Sequence, residues 1–324
     1  MEPLSRDEVG AALEPIASDL ERIEKIMIDV SAGATSFLTE FTTYLTKAGG
    51  KRLRPALTVL GAHLGAGPNP NVDVTAAAIE MTHLATLYHD DVIDEADTRR
   101  GVPSANENWG NKVAILAGDY LFARASKISA EVGGEVPEVL AEAISQVVQG
   151  QVSELESVYD PKRSEAKYLT TIHGKTASLL EACTRLGASL GGCTPDVVAA
   201  MRTFGIAFGL AFQVADDLLD LAASQEELGK PPGTDVRDGV YTLPVIFAAE
   251  ADPNLLKSLG TPDVDVDLVR DATVSTGAFA RARQVAIAYV EEALSALEQT
   301  PQGDARKTLE NLTRLVVDRV PVLA

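Results

Sequence analysis

The sequence predicts an all-α protein, read as one domain over residues 1–324. Three observations carry that prediction. Apolar residues recur at helical spacing along most of the chain, in segments rich in Ala and Leu. No stretch alternates apolar and polar residues over four or more pairs, the mark of a half-buried strand. The Gly- and Pro-containing breaks are short, and none reads as a long Pro/Ser-rich linker.

The helices are expected in the following order. The first covers about 6–30, acidic and amphipathic, and the second 36–47. A third covers 55–64, opened by Pro55, a favoured first-turn residue. The break "GAGPNPN" precedes 73–94, whose run "AAAIEMTHLATLY" suits a core helix. Helix 112–132 ends at "GGEVPE", and 137–158 follows. Helix 165–190 contains "KTASLLEACTRLGASLGG", and 194–223 contains "GIAFGLAFQVADDLLDLAA". "GKPPGTD" closes that helix, 243–249 stops at "EADPN", and 264–298 and 303–320 complete the chain.

Hydrophobic content of 46% and charged content of 23% are those of a globular protein able to bury a sizeable core. No apolar run approaches the roughly 20 residues that span a bilayer, so no transmembrane segment is expected. The first residues carry no charged-then-apolar signal pattern, and the two cysteines are too few for a disulfide framework or a zinc site. A cytoplasmic location is the expectation. A net charge of −19 argues against nucleic acid as a partner, because a phosphate backbone needs clustered Lys and Arg.

The chemistry concentrates in "HDDVIDEADTRRG", residues 89–101. Between Asp90 and Asp97 stand Asp90, Asp91, Asp94, Glu95 and Asp97. The D-D-x-x-D spacing returns in "FQVADDLLD" as Asp216, Asp217 and Asp220. On a helix, i and i+4 lie one turn apart on one face, so Asp90 pairs with Asp94 and Asp216 with Asp220. Like charges so placed repel, and hard divalent cations with oxygen ligands compensate them. Mg²⁺ takes one or two carboxylates and completes its shell with water and substrate phosphates. One such run alone reads as a solvated face. An EF-hand loop fails on spacing and on its missing central glycine. Two matched triads, the second inside an apolar run, favour metal.

Cations suited to phosphate stand nearby. "GGKRLRP" supplies Lys51, Arg52 and Arg54 and is not a P-loop; a surface basic turn is an equal alternative for that motif alone. Arg99 and Arg100 can fork onto phosphate oxygens or simply neutralise Asp94 and Asp97. "HGKTAS" sets Lys175 and Thr176 in an otherwise apolar helix, and "LGKPPGTD" sets Lys230 in a loop after the second triad. His83 and His89 read as ordinary helix residues, Gln213 as a hydrogen-bonding residue near the second triad, and Trp109 and the cysteines as packing.

The ordered set "GGKRLRP", "HDDVIDEADTRRG", "GKTA", "FQVADDLLD" and "GKPPGTD" resembles the trans-polyprenyl diphosphate synthase family (all-E prenyltransferases). The resemblance implies a single large bundle of antiparallel helices around a deep central cavity, with the two Asp-rich triads facing each other at its mouth. It implies that Mg²⁺ held by Asp90, Asp91, Asp94 and Asp216, with Asp217 and Asp220 assisting, binds an allylic diphosphate. It implies contacts to that diphosphate from Arg99, Lys175 and Lys230, and to isopentenyl diphosphate from Lys51, Arg54, His83 and Arg100, with Thr176 and Gln213 among the substrate-binding residues. It also implies a homodimer.

The growing tail would descend along the helix bearing the first triad, about 5.4 Å per turn. Ala85 and Thr86 stand where short-chain members of the family often carry bulky aromatics. Ala78 and Thr82 are also small, and Met81 can bend aside. A medium- or long-chain product is therefore expected, with geranylgeranyl diphosphate as the alternative. A terpene cyclase would not need "GGKRLRP", having no second diphosphate to hold. A subunit that binds prenyl chains within a heteromeric synthase is the non-enzymatic alternative.

Overall fold

The computed structural model describes residue 4 and residues 6–222, 233–318 and 320–323. The N-terminal region forms α1 (Arg6–Leu13), a 3₁₀ turn, α2 (Ala17–Ser31), α3 (Ser36–Thr42) and α4 (Tyr44–Lys47). Then come α5 (Leu53–His63), α6 (Pro70–Ile93), a two-residue hairpin pairing Thr98–Arg99 with Val102–Pro103, and α7 (Ala105–Trp109). The next set is α8 (Asn111–Val132), α9 (Val136–Leu155), α10 (Glu165–Ile172), α11 (Ser178–Leu190) and α12 (Pro195–Ala222). The remainder is α13 (Thr234–Arg237), α14 (Leu243–Ala251), α15 (Pro253–Ser258), α16 (Val266–Ser275), α17 (Ala278–Leu297) and α18 (Asp304–Asp318).

The all-α expectation is met, and the differences have local causes. The segment expected as one helix over 6–30 breaks at Pro15, whose missing N–H and fixed φ suit the start of a new turn. Helix 264–298 divides at Gly277, which sits at φ 72 and stops α16 before α17 starts. Helix 165–190 is interrupted by one π turn, His173–Ala177, between α10 and α11. Asn69 caps α6 by accepting from the N–H groups of Asn71 and Val72, with Pro70 in the first turn.

Two helices are buried on nearly every face and set the frame. On α6, Ala76, Ala77, Ala78, Ile79, Met81, Leu84, Ala85 and Tyr88 are all inaccessible to solvent. Its most extensive neighbour is α8, while α12 lies between α11 and α17. Helix α5 approaches α11 backbone to backbone, because a β-carbon at Gly187 would strike the carbonyl of Thr58. The sequence expectation of no membrane-length apolar run needs correcting here. Helix α12 meets the length and composition of a span, but 61% of its most apolar 18-residue stretch is buried inside the fold. Its apolar length serves the core, where most of that stretch packs against other helices.

Candidate active site

The first acidic motif ends α6. Asp91 is fully buried, Asp90 is half-buried and Asp94 is exposed. Asp94 N–H donates to the Asp90 carbonyl at 2.8 Å, so the helix closes there and the chain turns into the hairpin. That turn brings Arg99 back onto Asp91, with Nε and Nη2 each 2.6 Å from Oδ1. Arg99 therefore neutralises Asp91, rather than Asp94 or Asp97. The other carboxylate oxygen of Asp91 is buried with no hydrogen-bond partner among the described residues. Burial pushes the Asp90 carboxyl up to about 6, against the pull of Lys175. It raises Asp91 as well, with Arg99 opposing.

The second motif occupies the last turns of α12 and divides its labour. Asp217 is held by two donors: Tyr168 Oη to Oδ2 at 2.6 Å and Gln213 Nε2 to Oδ1 at 2.9 Å. Burial still raises its carboxyl, and the Asp216 charge adds to the shift. Asp220 accepts from the N–H of Asp235 at 3.2 Å, and its carbonyl accepts from Gly233 at 2.8 Å. It thereby secures the start of α13. Gln213, expected from the sequence to hydrogen-bond near the second triad, does so and also accepts from Thr176 Oγ1 at 2.7 Å, linking Asp217 to the π turn.

Two cavities meet along this wall. One, of about 560 Å³, is lined by Asp94, Glu95, Glu154, Tyr168, Lys175, Gln213, Asp217, Asp235 and Asp238, and takes in Arg163. The other, of about 310 Å³, is lined by Lys51, Arg52, Arg54, Glu80, His83, Arg99, Arg100, Thr176, Phe212 and Asp216. The first is acidic and the second basic. Consecutive residues separate them twice: Asp217 and Lys175 line the acidic cavity, Asp216 and Thr176 the basic one. The π turn widens the helix by one residue at Lys175 and Thr176 themselves, a device common at functional sites.

Electrostatics differ sharply between the two. In the basic cavity, burial and the charges of Arg54, Arg100, Arg99 and Arg52 hold the His83 imidazole well below its ordinary range, so it is neutral. Burial also lowers the Arg54 and Arg100 guanidinium groups, and Glu80 opposes both shifts. Arg54 Nε is buried with no hydrogen-bond partner among the described residues. Such a cluster of desolvated donors suits a polyanion. In the acidic cavity Lys175 is engaged by an ion pair with Glu154.

The acidic residues fit a hard divalent cation with oxygen ligands. A buried carboxylate oxygen without a donor and carboxyls raised by desolvation are the state that such a cation relieves. Among the described residues, no three His, Cys, Asp or Glu side chains converge to enclose a metal by themselves. Mg²⁺ does not require that, since water and phosphate oxygens complete its shell.

The structure thus brings together Lys51, Arg54, His83, Arg99, Arg100, Thr176 and Asp216 in one cavity, and Asp94, Lys175, Gln213 and Asp217 in the other. Lys230 lies outside the described residues. Ala78, Met81, Thr82 and Ala85 are closed off inside the helix packing, and Thr86 is half-buried with its hydroxyl donating to the His83 carbonyl at 2.8 Å. None of these five lines either cavity. His89 satisfies the ordinary reading, its Nε2 lying 3.2 Å from the Ile115 carbonyl and 3.5 Å from Asp119.

Several lining residues escaped sequence reasoning. Glu80 had a signal, a lone carboxylate inside "AAAIEMTHLA". Glu154, Tyr168, Asp235 and Asp238 had none, because their relevance rests on contacts with elements distant in the chain.

Known proteins match this arrangement along nearly the whole chain. The Polyprenyl synthetase family model matches residues 35–274. The chain is 41% identical over 312 residues to nonaprenyl diphosphate synthase of Mycobacterium tuberculosis, covering 94% of this chain and 93% of that protein. It superposes with a TM-score of 0.91 on decaprenyl diphosphate synthase from Rhodobacter capsulatus, at 36% identity and with 98% and 100% of the two chains covered. With geranylgeranyl pyrophosphate synthase from Corynebacterium glutamicum, solved in complex with calcium and isoprenyl diphosphate, the TM-score is 0.84 at 35% identity, covering 95% and 96%. With its paired acidic motifs, basic cavity and these likenesses, the chain belongs to the polyprenyl synthetase family and is a trans-prenyltransferase.

Proposed function

We propose that the chain joins isopentenyl diphosphate to an allylic diphosphate, with Mg²⁺ as cofactor, and repeats the step to a medium- or long-chain all-trans polyprenyl diphosphate. The observation that carries this reading is the division of the wall between two cavities of opposite charge, with Asp216 and Asp217 on its two sides. A diphosphate that must leave belongs with the carboxylates and their cation. A diphosphate that is only held belongs with the arginines.

In this reading Asp90, Asp91, Asp94, Asp216, Asp217 and Asp220 hold the metal, which when bound neutralises charge between the carboxylates and the allylic diphosphate. Lys175 exchanges Glu154 for phosphate oxygens, and Arg99 and Lys230 add charge to the same group. Lys51, Arg54, Arg100 and neutral His83 bind isopentenyl diphosphate, with Thr176 and Gln213 fixing the join between the sites. Cations aimed where charge develops on the departing diphosphate stabilise the transition state more than the bound substrate. The double bond of isopentenyl diphosphate then attacks the allylic carbon, and a proton is lost to the released diphosphate.

The names of the mycobacterial and Rhodobacter relatives support a longer product, and the likeness to a geranylgeranyl pyrophosphate synthase keeps that product as the alternative. We read residues 1–324 as a single polyprenyl synthase domain acting in the cytoplasm. A homodimer is supported by exposed apolar side chains on neighbouring helices, Ile115 and Leu116 on α8 and Val148, Val152 and Leu155 on α9. The same face could receive a different subunit, which is what a prenyl-chain-binding component of a heteromeric synthase would need.

Purified chain incubated with labelled isopentenyl diphosphate, a series of allylic primers and Mg²⁺ tests the reading. Chain-elongated products that vanish with chelator and return with Mg²⁺ are expected. Full turnover in excess chelator would remove the metal assignment, and no condensation with any primer would favour the heteromeric subunit.

A further inference from the structure

Among the described residues other than glycine, only Arg52, Glu95, Arg100 and Tyr159 adopt positive φ. Two of these four, Arg52 at φ 50 and Arg100 at φ 55, reach the same carboxylate. Glu80 Oε1 lies 3.4 Å from Arg52 Nη1 and 3.7 Å from Arg100 Nη2. Non-glycine residues in the left-handed region persist only where surrounding contacts hold them, and such strain gathers at functional sites.

The contacts that hold these two are on the page. Arg52 also donates to Glu24 through Nε at 3.3 Å and to the Thr46 carbonyl through Nη2 at 2.6 Å. Arg100 donates through Nη1 to the carbonyls of Leu45 and Gly49. Its guanidinium packs closely on Gly50, where a β-carbon would lie 3.0 Å from Cζ. Glu80 itself is 2% exposed in the middle of an apolar helix, a position that a carboxylate tolerates only with cationic partners.

We propose that Glu80 is a positioning residue for isopentenyl diphosphate, clamping Arg52 and Arg100 so that their neighbours present a fixed set of cations to one diphosphate. This rests on the basic cavity being the isopentenyl diphosphate site. Arg52 stands between Lys51 and Arg54 in the chain, and turning its side chain onto Glu80 sets the backbone from which both line the cavity. Arg100 is fixed beside Arg99 in the same way. Glu80 lines the cavity too, but as an anion it has no attraction for a diphosphate.

That last point gives the test its sign. If Glu80 acted only through its charge, its removal would tighten binding of an anionic substrate. If it acts by positioning, removal weakens binding. Glu80→Gln, which keeps the shape and removes the charge, should raise the KM for isopentenyl diphosphate about ten-fold, the lower end for a lost charge-assisted contact. The KM for the allylic primer and kcat at saturation should change by less than about three-fold. Arg52→Ala attacks the clamp from its other arm and serves if Glu80→Gln does not fold. The double variant should be no worse than the more impaired single one, since both break one device.

Lys51→Ala is the reference. If it raises the KM for isopentenyl diphosphate while Glu80→Gln or Arg52→Ala leaves that KM unchanged or lower, the clamp is wrong and the site assignment stands. If Lys51→Ala has no effect, the site assignment fails and the clamp falls with it.

Discussion

Tyr168 Oη donates to Asp217 Oδ2 at 2.6 Å, tying a phenol that is 1% exposed to the second acidic motif. The tyrosine comes from α10 and the aspartate from α12, so the bond fixes the carboxylate against a second helix. Arg163 lies over the same ring, its Cζ 5.5 Å from the centroid. Tyr168→Phe removes the donor and keeps the ring. Losing a hydrogen bond to a charged group costs about 1.5–3 kcal/mol when the partner stays buried. Turnover should fall by about one decade or more while the KM for isopentenyl diphosphate stays put, because the basic cavity is untouched. Steady-state kinetics with each substrate varied in turn would measure it, and equal loss on both substrates would show that Tyr168 serves the fold rather than the motif.

The carboxyl of Asp90, raised to about 6 from an ordinary 3.8, carries a consequence for stability. With a folded value above the unfolded one, the folded state binds more protons between about pH 4 and 6. Stability from this group is therefore present below about pH 4 and lost as pH rises through about 6. Asp90→Asn removes that titration. The metal-free variant should be more stable than the parent at pH 7.5, with the gap closing towards pH 4, while its activity is largely lost. Urea unfolding in chelator across that range would check it. A parallel pH dependence in the two proteins would mean that Asp90 is ordinarily solvated.

The two cavities should separate by kinetics. Lys51→Ala or Arg54→Ala should raise the KM for isopentenyl diphosphate by about one to two decades, at about 1.5–3 kcal/mol per charge-assisted contact. Lys175→Ala should instead act on the allylic primer, and Lys230→Ala should do the same. Equal rises for both substrates in every variant would mean that the cavities do not divide the diphosphates.

Ala85 tests the reading of product length. It is fully buried on α6 and lines neither cavity, so a tail could reach it only where α6 parts from its neighbours. Ala85→Phe forces a ring into that packing at a cost of about 1–3 kcal/mol. If the tail runs there, the variant should release shorter prenyl diphosphates with the first condensation near its normal rate. A lower melting temperature with an unchanged product ladder would make Ala85 a packing residue and remove the main support for the long product.

The sequence alone determined the helical class, the two D-D-x-x-D motifs and the order of the basic motifs. These are local properties: helical spacing fixes which carboxylates share a turn, and charge is written in residue identity. Lys51, Arg54, His83, Arg99 and Arg100 were legible as a set only through that order and the resemblance built on it. Their convergence with Thr176 and Asp216 on one cavity needed the fold, because five separate stretches of chain supply them. Sequence also could not reveal that Asp217 would meet Tyr168, or that Glu80 would lie between Arg52 and Arg100. A lone tyrosine and a lone glutamate acquire roles only from side chains that packing brings within hydrogen-bonding range. The apolar length of α12 made the same point in reverse. Hydropathy records how apolar a helix is, and only tertiary packing decides whether that surface meets other helices.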